Sequence, residues 1–161
     1  MRQRLAIGLV ALLVLAVGAA VTATAYPAGA DGRGREILAG AVRLSGSQEV
    51  PPADPDGRGS FAYFAVDDVF CYVMTAHKID PPIAAHIHIA PAGVNGPIMV
   101  PLELPDPHSA DCIVAEPDES LNSPEVLTQG ELDAIIANPA GYYTNVHTAP
   151  FPGGAIRGQL R

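Results

Sequence analysis

Basic residues are scarce in this chain, which has nine Lys and Arg against 17 Asp and Glu and a formal net charge of −8. Nine dispersed positive charges do not form the basic stripe of a compact nucleic-acid-binding protein, so we exclude nucleic acid as a partner. The sequence also lacks a G-x-S-x-G segment, a P-loop and a G-x-G-x-x-G segment. No nucleophile or nucleotide-binding motif is therefore visible. Gly and Pro number 16 each, but without a G-X-Y period, which excludes collagen.

The N-terminus has the order of a secretory signal peptide. Arg2 and Arg4 precede an apolar run at 5–21, and Ala23-Thr24-Ala25 supplies a small-residue cleavage site. The alternative is an uncleaved membrane anchor, because the run is just long enough to span a bilayer. We expect a signal peptide at 1–25, a flexible leader at 26–36 and one domain at 37–161. The protein is then secreted or held in the cell envelope, and it contacts membrane only if the signal is uncleaved.

Cys71 and Cys112 are the two cysteines of the chain. In an exported protein they meet an oxidising compartment, where paired thiols become structural disulfides. We therefore predict a Cys71–Cys112 disulfide, and the alternative is two buried free thiols. A lipoprotein anchor is excluded, because no cysteine precedes Cys71.

Short β-rich runs separated by turns dominate the rest of the sequence. They predict an all-β fold, an antiparallel Greek-key-like β-sandwich, and the missing crossover helices exclude a parallel α/β fold. The acidic, Pro-containing segment 105–123 is predicted to be a surface loop. The predicted strands begin at 37 and then cover 60–66, 69–79, 83–89, 98–104, 142–148 and 155–160.

One short helix is predicted after residue 128. Thr128 and Glu131 fit the capping box, in which each side chain bonds the backbone N–H of the other residue. Asn138 is expected in the left-handed position after the helix, and Pro139 prevents its continuation. The apolar face of the helix is expected to consist of Leu132, Ile135 and Ile136.

The segment His86-Ile87-His88 carries the clearest chemical signal. Residues two apart in a strand point to the same face, about 6.5–7 Å apart. Two imidazoles on one face can bind a single ion, each through one ring nitrogen at about 2.0–2.1 Å. Ile83, Ala85, Ile87 and Ile89 then face the core. The alternative is that the histidines are exposed strand residues without a ligand.

His147 is the third candidate ligand. It shares a strand face with Asn145 in the predicted strand 142–148, and a position beside 83–89 would complete a three-imidazole open site suited to copper or zinc. Asn145 is then expected to orient a ring nitrogen, and Arg157 on the last strand to face an anionic ligand. The alternatives are a core histidine bonded to backbone and a structural arginine. His108, three residues before Asp111, is interpreted as part of a solvated loop, and the alternative is a second, weaker metal site.

Several segments resemble the chordin-type domain known as the CHRD domain. They are LSGSQEVPP at 44–52, AAHIH at 84–88, NGP at 95–97, YTNVHT at 143–148 and GGAIRGQL at 153–160. The resemblance covers about residues 39–160. It implies an exported all-β domain of a kind found in many bacterial proteins and in chordin, and it does not imply a reaction.

A weaker likeness connects the chain with copper–zinc superoxide dismutase, which is also a Greek-key sandwich. The H-x-H strand, a later strand histidine and an arginine near the C-terminus are similar. The bridging histidine and the zinc-ligand cluster of the dismutase have no counterpart, since only His108 and Asp111 lie between His88 and His147. These missing ligands argue against a dimetal enzyme. A single copper-type site is still compatible with the likeness.

The leading hypothesis is an exported domain that binds one copper ion, or alternatively zinc, through His86, His88 and His147, for metal buffering or simple redox chemistry. Ring nitrogens about 3–4 Å apart would fit shared coordination, and binding is expected to weaken below about pH 6. The alternative is a non-catalytic extracellular module that binds a protein or a surface and has structural histidines. A third hypothesis is an enzyme with superoxide dismutase-like activity.

Overall fold

The computed structural model describes residues 37–161 of the chain. The expected signal peptide at 1–25 and leader at 26–36 lie outside the described residues. Within residues 37–161, no helix is both long enough and apolar enough to cross a membrane.

The described residues form eight β-strands, one α-helix and three short 3-10 segments. The strands are β1 (Ile37–Ser45), β2 (Arg58–Val66), β3 (Val69–His77), β4 (Pro82–Ile89), β5 (Ile98–Pro101), β6 (His108–Val114), β7 (Tyr142–Thr148) and β8 (Ile156–Gln159). The helix α1 is Gln129–Ala137, and the 3-10 segments are Gly46–Gln48, Glu119–Leu121 and Pro139–Gly141.

All neighbouring strands are antiparallel, in one sheet of order β5-β4-β7-β8-β1-β2-β3-β6. β1 and β8 share a single residue pair, Ser45 with Arg157. The sheet thus has two halves: the histidine half (β4, β5, β7, β8) and the disulfide half (β1, β2, β3, β6). Buried apolar residues of both halves belong to one core, so the sheet curls over itself. The predicted all-β antiparallel class is confirmed, with one continuous sheet.

Strict alternation of side chains builds the core. In β2 and β3 every second residue is buried, including Phe61, Tyr63, Phe70 and Tyr72. Their rings stack on one another with centroids 5.5–6.4 Å apart. Because one face of each of these strands packs in the core, the other face points away from the core.

The core face of β4 is shorter than predicted. Ala85 and Ile87 are buried, as expected. The prediction that Ile83 and Ile89 also face the core is wrong, because both are exposed. These two residues lie near the ends of the strand, beyond the part that packs on the other half of the sheet.

β6 corrects the predicted surface loop at 105–123. Residues 108–114 pair with β3 over seven residues, and Cys71 lies opposite Cys112 in this ladder. The two form the predicted disulfide, with their Cα atoms 4.0 Å apart. β6 is an edge strand with only one neighbour, and most of its side chains are exposed. Its composition is therefore acidic, like that of a surface loop, and did not indicate a strand.

The helix begins as predicted and ends differently. Thr128 and Glu131 form the capping box, with the Thr128 N–H donating to Glu131 Oε2 at 3.0 Å. Asn138 does not take the left-handed conformation, since its φ is −148°. A residue that precedes proline is pushed toward extended backbone, and Pro139 follows Asn138. The chain then enters a 3-10 turn that leads directly into β7.

Candidate metal site

β7 brings His147 beside the histidine pair of β4. In the β4–β7 ladder Asn145 lies opposite His86, and His147 lies opposite Ala84. His147 is therefore the diagonal neighbour of His86 on the outer face of the histidine half. Nδ1 of His86 lies 3.1 Å from Nε2 of His147. One ring nitrogen from each of His86, His88 and His147 lies within 4.8 Å of the others.

The observed distances between the ring nitrogens can be compared with the separations expected for ligands of one ion. The His86–His147 pair falls in the range of about 3–4 Å that two ligands of one ion require. The set as a whole extends to 4.8 Å, so a ring must rotate before all three share an ion. His88 and His147 are buried, and His86 is half-buried. The cluster is thus reached from solvent past His86.

Backbone carbonyls hold two of the three rings by their Nδ1 atoms. Nδ1 of His88 lies 3.0 Å from the carbonyl oxygen of Gly96, and Nδ1 of His147 lies 3.0 Å from that of Pro152. A carbonyl oxygen only accepts, so each Nδ1 carries the proton. In a neutral ring the lone pair is then on Nε2, which lies next to His86 in the case of His147 and next to Asn145 in the case of His88. Metal-binding histidines are usually oriented by such a hydrogen bond from their second nitrogen.

Asn145 lies next to a ring nitrogen of the cluster. Its Oδ1 lies 3.0 Å from Nε2 of His88, and the whole side chain is buried. Acceptors at both nitrogens would require a doubly protonated ring, which burial disfavours. A neutral His88 is satisfied when Asn145 turns its amide NH2 toward Nε2. Asn145 therefore contacts the same lone pair of His88 that would bind an ion.

Burial keeps the three imidazoles neutral. The pKa of His86 is lowered from 6.5 to about 4, chiefly by burial and in addition by the charges that His147 and His88 would carry. The pKa values of His88 and His147 are also lowered, with burial as the largest cause. Neutral imidazole is the form that binds metal, so the cluster is in its ligand form at neutral pH.

Arg157 lies behind the cluster. Its guanidinium carbon is 3.3 Å from the centroid of the Tyr143 ring, and the other face of Tyr143 stacks on His88 with centroids 4.7 Å apart. Its nitrogens donate to the carbonyl oxygens of Val94 and Pro91 at 2.9 and 3.1 Å. Arg157 therefore holds the 90–97 loop against the outer face of the sheet. The carbonyl oxygen of Gly96 in the same loop accepts the hydrogen bond from Nδ1 of His88.

Glu49 is a site residue that sequence reasoning missed. It is 5% exposed, it interacts with Asn145 and Arg157, and its Oε1 has no hydrogen-bond partner among the described residues. Burial raises its pKa from 4.5 to about 7, against the lowering effects of the Arg157 charge and the Asn145 hydrogen bond. Gly154 leaves the space for this carboxyl, because a Cβ there would overlap Oε1. A glutamate in a Pro-rich loop carries no sequence signal of burial.

The remaining histidines lie away from the cluster. His77 ends β3 and His108 begins β6, and both are exposed. His108 and Asp111 are three residues apart in β6, so they point to opposite faces of the strand. The structure thus does not bring His108 and Asp111 together.

A family comparison covers most of the described domain. The family model of the CHRD domain matches residues 41–160. The chain belongs to the CHRD domain family. The matched range includes all three clustered histidines, Asn145, Glu49 and Arg157. No curated protein and no solved structure gave a significant match to the chain. The likeness to copper–zinc superoxide dismutase thus has no support beyond the segments quoted for it.

Proposed function

We propose that this CHRD domain binds one copper ion, with zinc as the alternative, through His86, His88 and His147. The observation that carries the proposal is the pair of backbone carbonyls at Nδ1 of His88 and His147. They leave the lone pair of each ring on Nε2, and one ring nitrogen from each of the three histidines lies within 4.8 Å of the others. Such prior orientation reduces the ordering that binding an ion requires.

The donor set favours copper. Three neutral imidazole nitrogens suit Cu(II) and Zn(II), and Cu(II) binds nitrogen sites most tightly among the divalent first-row metals. Both cysteines of the chain are in the disulfide, so no thiolate competes for the ion. Three protein ligands leave a further position for water or a small ligand. This arrangement supports metal buffering or simple redox chemistry in an exported protein, and the disulfide and the signal-like N-terminus support export.

Titration of the purified protein with Cu(II) and with Zn(II) tests the proposal. Isothermal calorimetry gives stoichiometry and affinity, and electron paramagnetic resonance counts the nitrogen ligands of Cu(II). We expect one ion per chain with three imidazole nitrogens. The variants His86→Ala, His88→Ala and His147→Ala each lose a ligand, and we expect their affinity to fall at least about tenfold.

His108→Ala is the matched control, since His108 is an exposed strand histidine outside the cluster. It should bind copper as the wild type does. Equal, substoichiometric binding by the wild type and the three cluster variants would refute the metal site. A far-ultraviolet circular dichroism spectrum shows that each variant is folded.

The second candidate function is a non-catalytic extracellular module with structural histidines. It is favoured by the observation that each of the three rings already has a hydrogen-bond partner within the protein. In that case the triple alanine variant loses stability and the wild type takes up no ion. Capture of an extracellular protein partner that the triple variant still binds would support this function.

A further inference from the structure

The outward face of the disulfide half is apolar throughout its centre. The strand registers align its residues in three rows of four across β1, β2, β3 and β6. We call these twelve residues the apolar face. The rows are Ile37, Val66, Val69 and Val114; then Ala39, Phe64, Cys71 and Cys112; then Ala41, Ala62, Val73 and Ala110.

The apolar face is open to solvent although the opposite side of the same strands forms the core. Ile37, Phe64 and Val114 are 62%, 42% and 64% exposed. An antiparallel sheet with one face on the core normally carries polar residues on its other face. None of the twelve residues is charged, in a chain whose net charge is −8. This face is therefore built for contact with another surface.

The size of the face suits a protein interface. Strands about 4.8 Å apart and rows about 6.8 Å apart give a footprint of roughly 20 by 20 Å, on the order of 400 Å². That lies within the range of the largest apolar patches of monomeric proteins, which are often functional. When two such faces are in contact, the uneven surface of their side chains and the polar residues around the faces add to the buried area. The total buried area then approaches about 1,200 Å², the lower end of the range for specific protein interfaces.

We propose that a second copy of this chain covers the apolar face. An uncharged face offers nothing to a charged partner, whereas it is complementary to itself. Two copies of an acidic protein repel least where no charge lies between them. The small side chains of Ala39, Ala41, Ala62 and Ala110 also allow two sheets to stack at about 10 Å.

Charge at the two ends of the face selects one orientation. The exposed Arg43 lies in the next row beyond Ala41, and the exposed Asp68 lies in the β2–β3 turn beyond Val66 and Val69. A two-fold axis in the plane of the interface and perpendicular to the strands places Arg43 of each copy at the same end as Asp68 of the other, about one and a half strand spacings (roughly 7 Å) to the side. An axis parallel to the strands would place the two Asp68 side chains together at one end. The first arrangement is therefore favoured.

Sedimentation velocity of the purified protein from about 1 to about 100 µM tests the proposal. We expect a dimer for the wild type, and a dissociation constant at least about tenfold higher for Phe64→Glu and Val114→Glu, because each places an unpaired charge in the contact. Val114 is on an exposed edge strand, so its substitution is decisive even if Phe64→Glu fails to fold. Ile83→Glu is the control. Ile83 is likewise an exposed large apolar residue, but it lies on β4, so the variant should remain a dimer.

The charge pair gives an independent test of the orientation. Arg43→Asp and Asp68→Arg should each weaken the dimer, and the double variant should restore it. A wild type that is monomeric at about 100 µM, or a dimer unaffected by Val114→Glu, overturns the proposal. A monomer that cosediments with phosphatidylcholine vesicles overturns it as well and assigns the face to a lipid surface.

Discussion

Glu49 combines burial, a raised pKa and a connection to the histidine cluster. Its carboxyl interacts with Asn145, and Asn145 contacts Nε2 of His88. A neutral Glu49 can donate its proton to the Asn145 oxygen, which leaves the amide NH2 for a neutral His88. The protonated glutamate and the neutral histidine are thus mutually compatible. Glu49 is thus linked to His88 through Asn145.

Removal of the Glu49 charge should change how stability depends on pH. The pKa of Glu49 is about 7 in the folded protein and 4.5 in the unfolded chain. A raised pKa gives a contribution to stability that is complete below about pH 4.5 and lost as pH rises through about 7. Glu49→Gln should therefore gain stability over the wild type between pH 5 and pH 8, by about 2 kcal/mol. Urea unfolding at several pH values measures this difference.

Glu125→Gln is the control for Glu49→Gln, because Glu125 is exposed in a turn. It should differ from the wild type by the same small amount at every pH. A Glu49→Gln variant whose stability tracks that of the wild type across this range would contradict a raised pKa of Glu49.

The pKa values of the three histidines predict the pH range of binding at the proposed copper site. Histidines with an ordinary pKa of about 6.5 would each lose about fourfold in available ligand at pH 6. Burial lowers the pKa of His86 to about 4 and lowers those of His88 and His147. Copper affinity should therefore change only a few-fold between pH 7.5 and pH 6, and it should fall steeply below about pH 5. This range is lower than the limit near pH 6 expected from the sequence.

Competition titrations at pH 7.5, 6 and 5 measure this dependence. The tripeptide Gly-Gly-His does not share the burial of the site and serves as the competitor whose own pH dependence is determined separately. A loss near two orders of magnitude between pH 7.5 and pH 6 would show that the imidazoles titrate as ordinary histidines.

Among the elements, β6 depends most on a contact outside the backbone ladder. It is an edge strand, and Cys112 ties its centre to Cys71 of β3. The cross-link closes a long loop, since the two cysteines are 41 residues apart in the sequence. The segment that composition assigns to a loop is thereby held in the sheet.

Replacement of both cysteines should destabilise the fold without changing its class. The chain-entropy model assigns about 3–4 kcal/mol to a cross-link that closes a loop of this length. Cys71→Ser with Cys112→Ser should lower the free energy of unfolding by about that amount, measured by guanidinium unfolding. Wild type treated with a reductant should match the double variant. An unchanged unfolding midpoint in both samples would mean that the disulfide adds nothing to stability.

The histidine cluster joins parts of the molecule that are distant in the chain. His86 and His147 are 61 residues apart in sequence and come together only in the β4–β7 ladder. An unfolded chain does not hold these rings near one another, so an ion bound by the cluster stabilises the folded molecule as a whole. The proposed metal binding would therefore be coupled to folding at the scale of the whole domain.

Copper should raise the thermal stability of the protein. At a free ion concentration about 100 times the dissociation constant, the folded state gains about 2.7 kcal/mol. A thermal melt with and without Cu(II) measures the shift, which should fall to about half or less in His147→Ala and be retained in His108→Ala. An equal shift in wild type and His147→Ala would indicate that copper binds elsewhere.

Local regularities made much of this protein predictable. The alternation of His86 and His88 with Ala85 and Ile87 needs only the geometry of a strand, and the capping box of Thr128 needs only one turn of helix. The all-β class likewise follows from short alternating runs. The left-handed conformation predicted for Asn138 is wrong for a local reason: the constraint from the following proline outweighs the preference of asparagine for the left-handed region.

The face of β4 that carries the histidines, the start of the helix and the pairing of the two cysteines are readable from the chain, because each depends on sequence neighbours or on a single possible pairing. Three features need the folded molecule: the meeting of His147 with His86, the burial of Glu49 beside Asn145, and the completion of an apolar face by β6. Each of these depends on which strands lie side by side, and strand order is set by the burial of apolar surface across the whole domain rather than by any one segment.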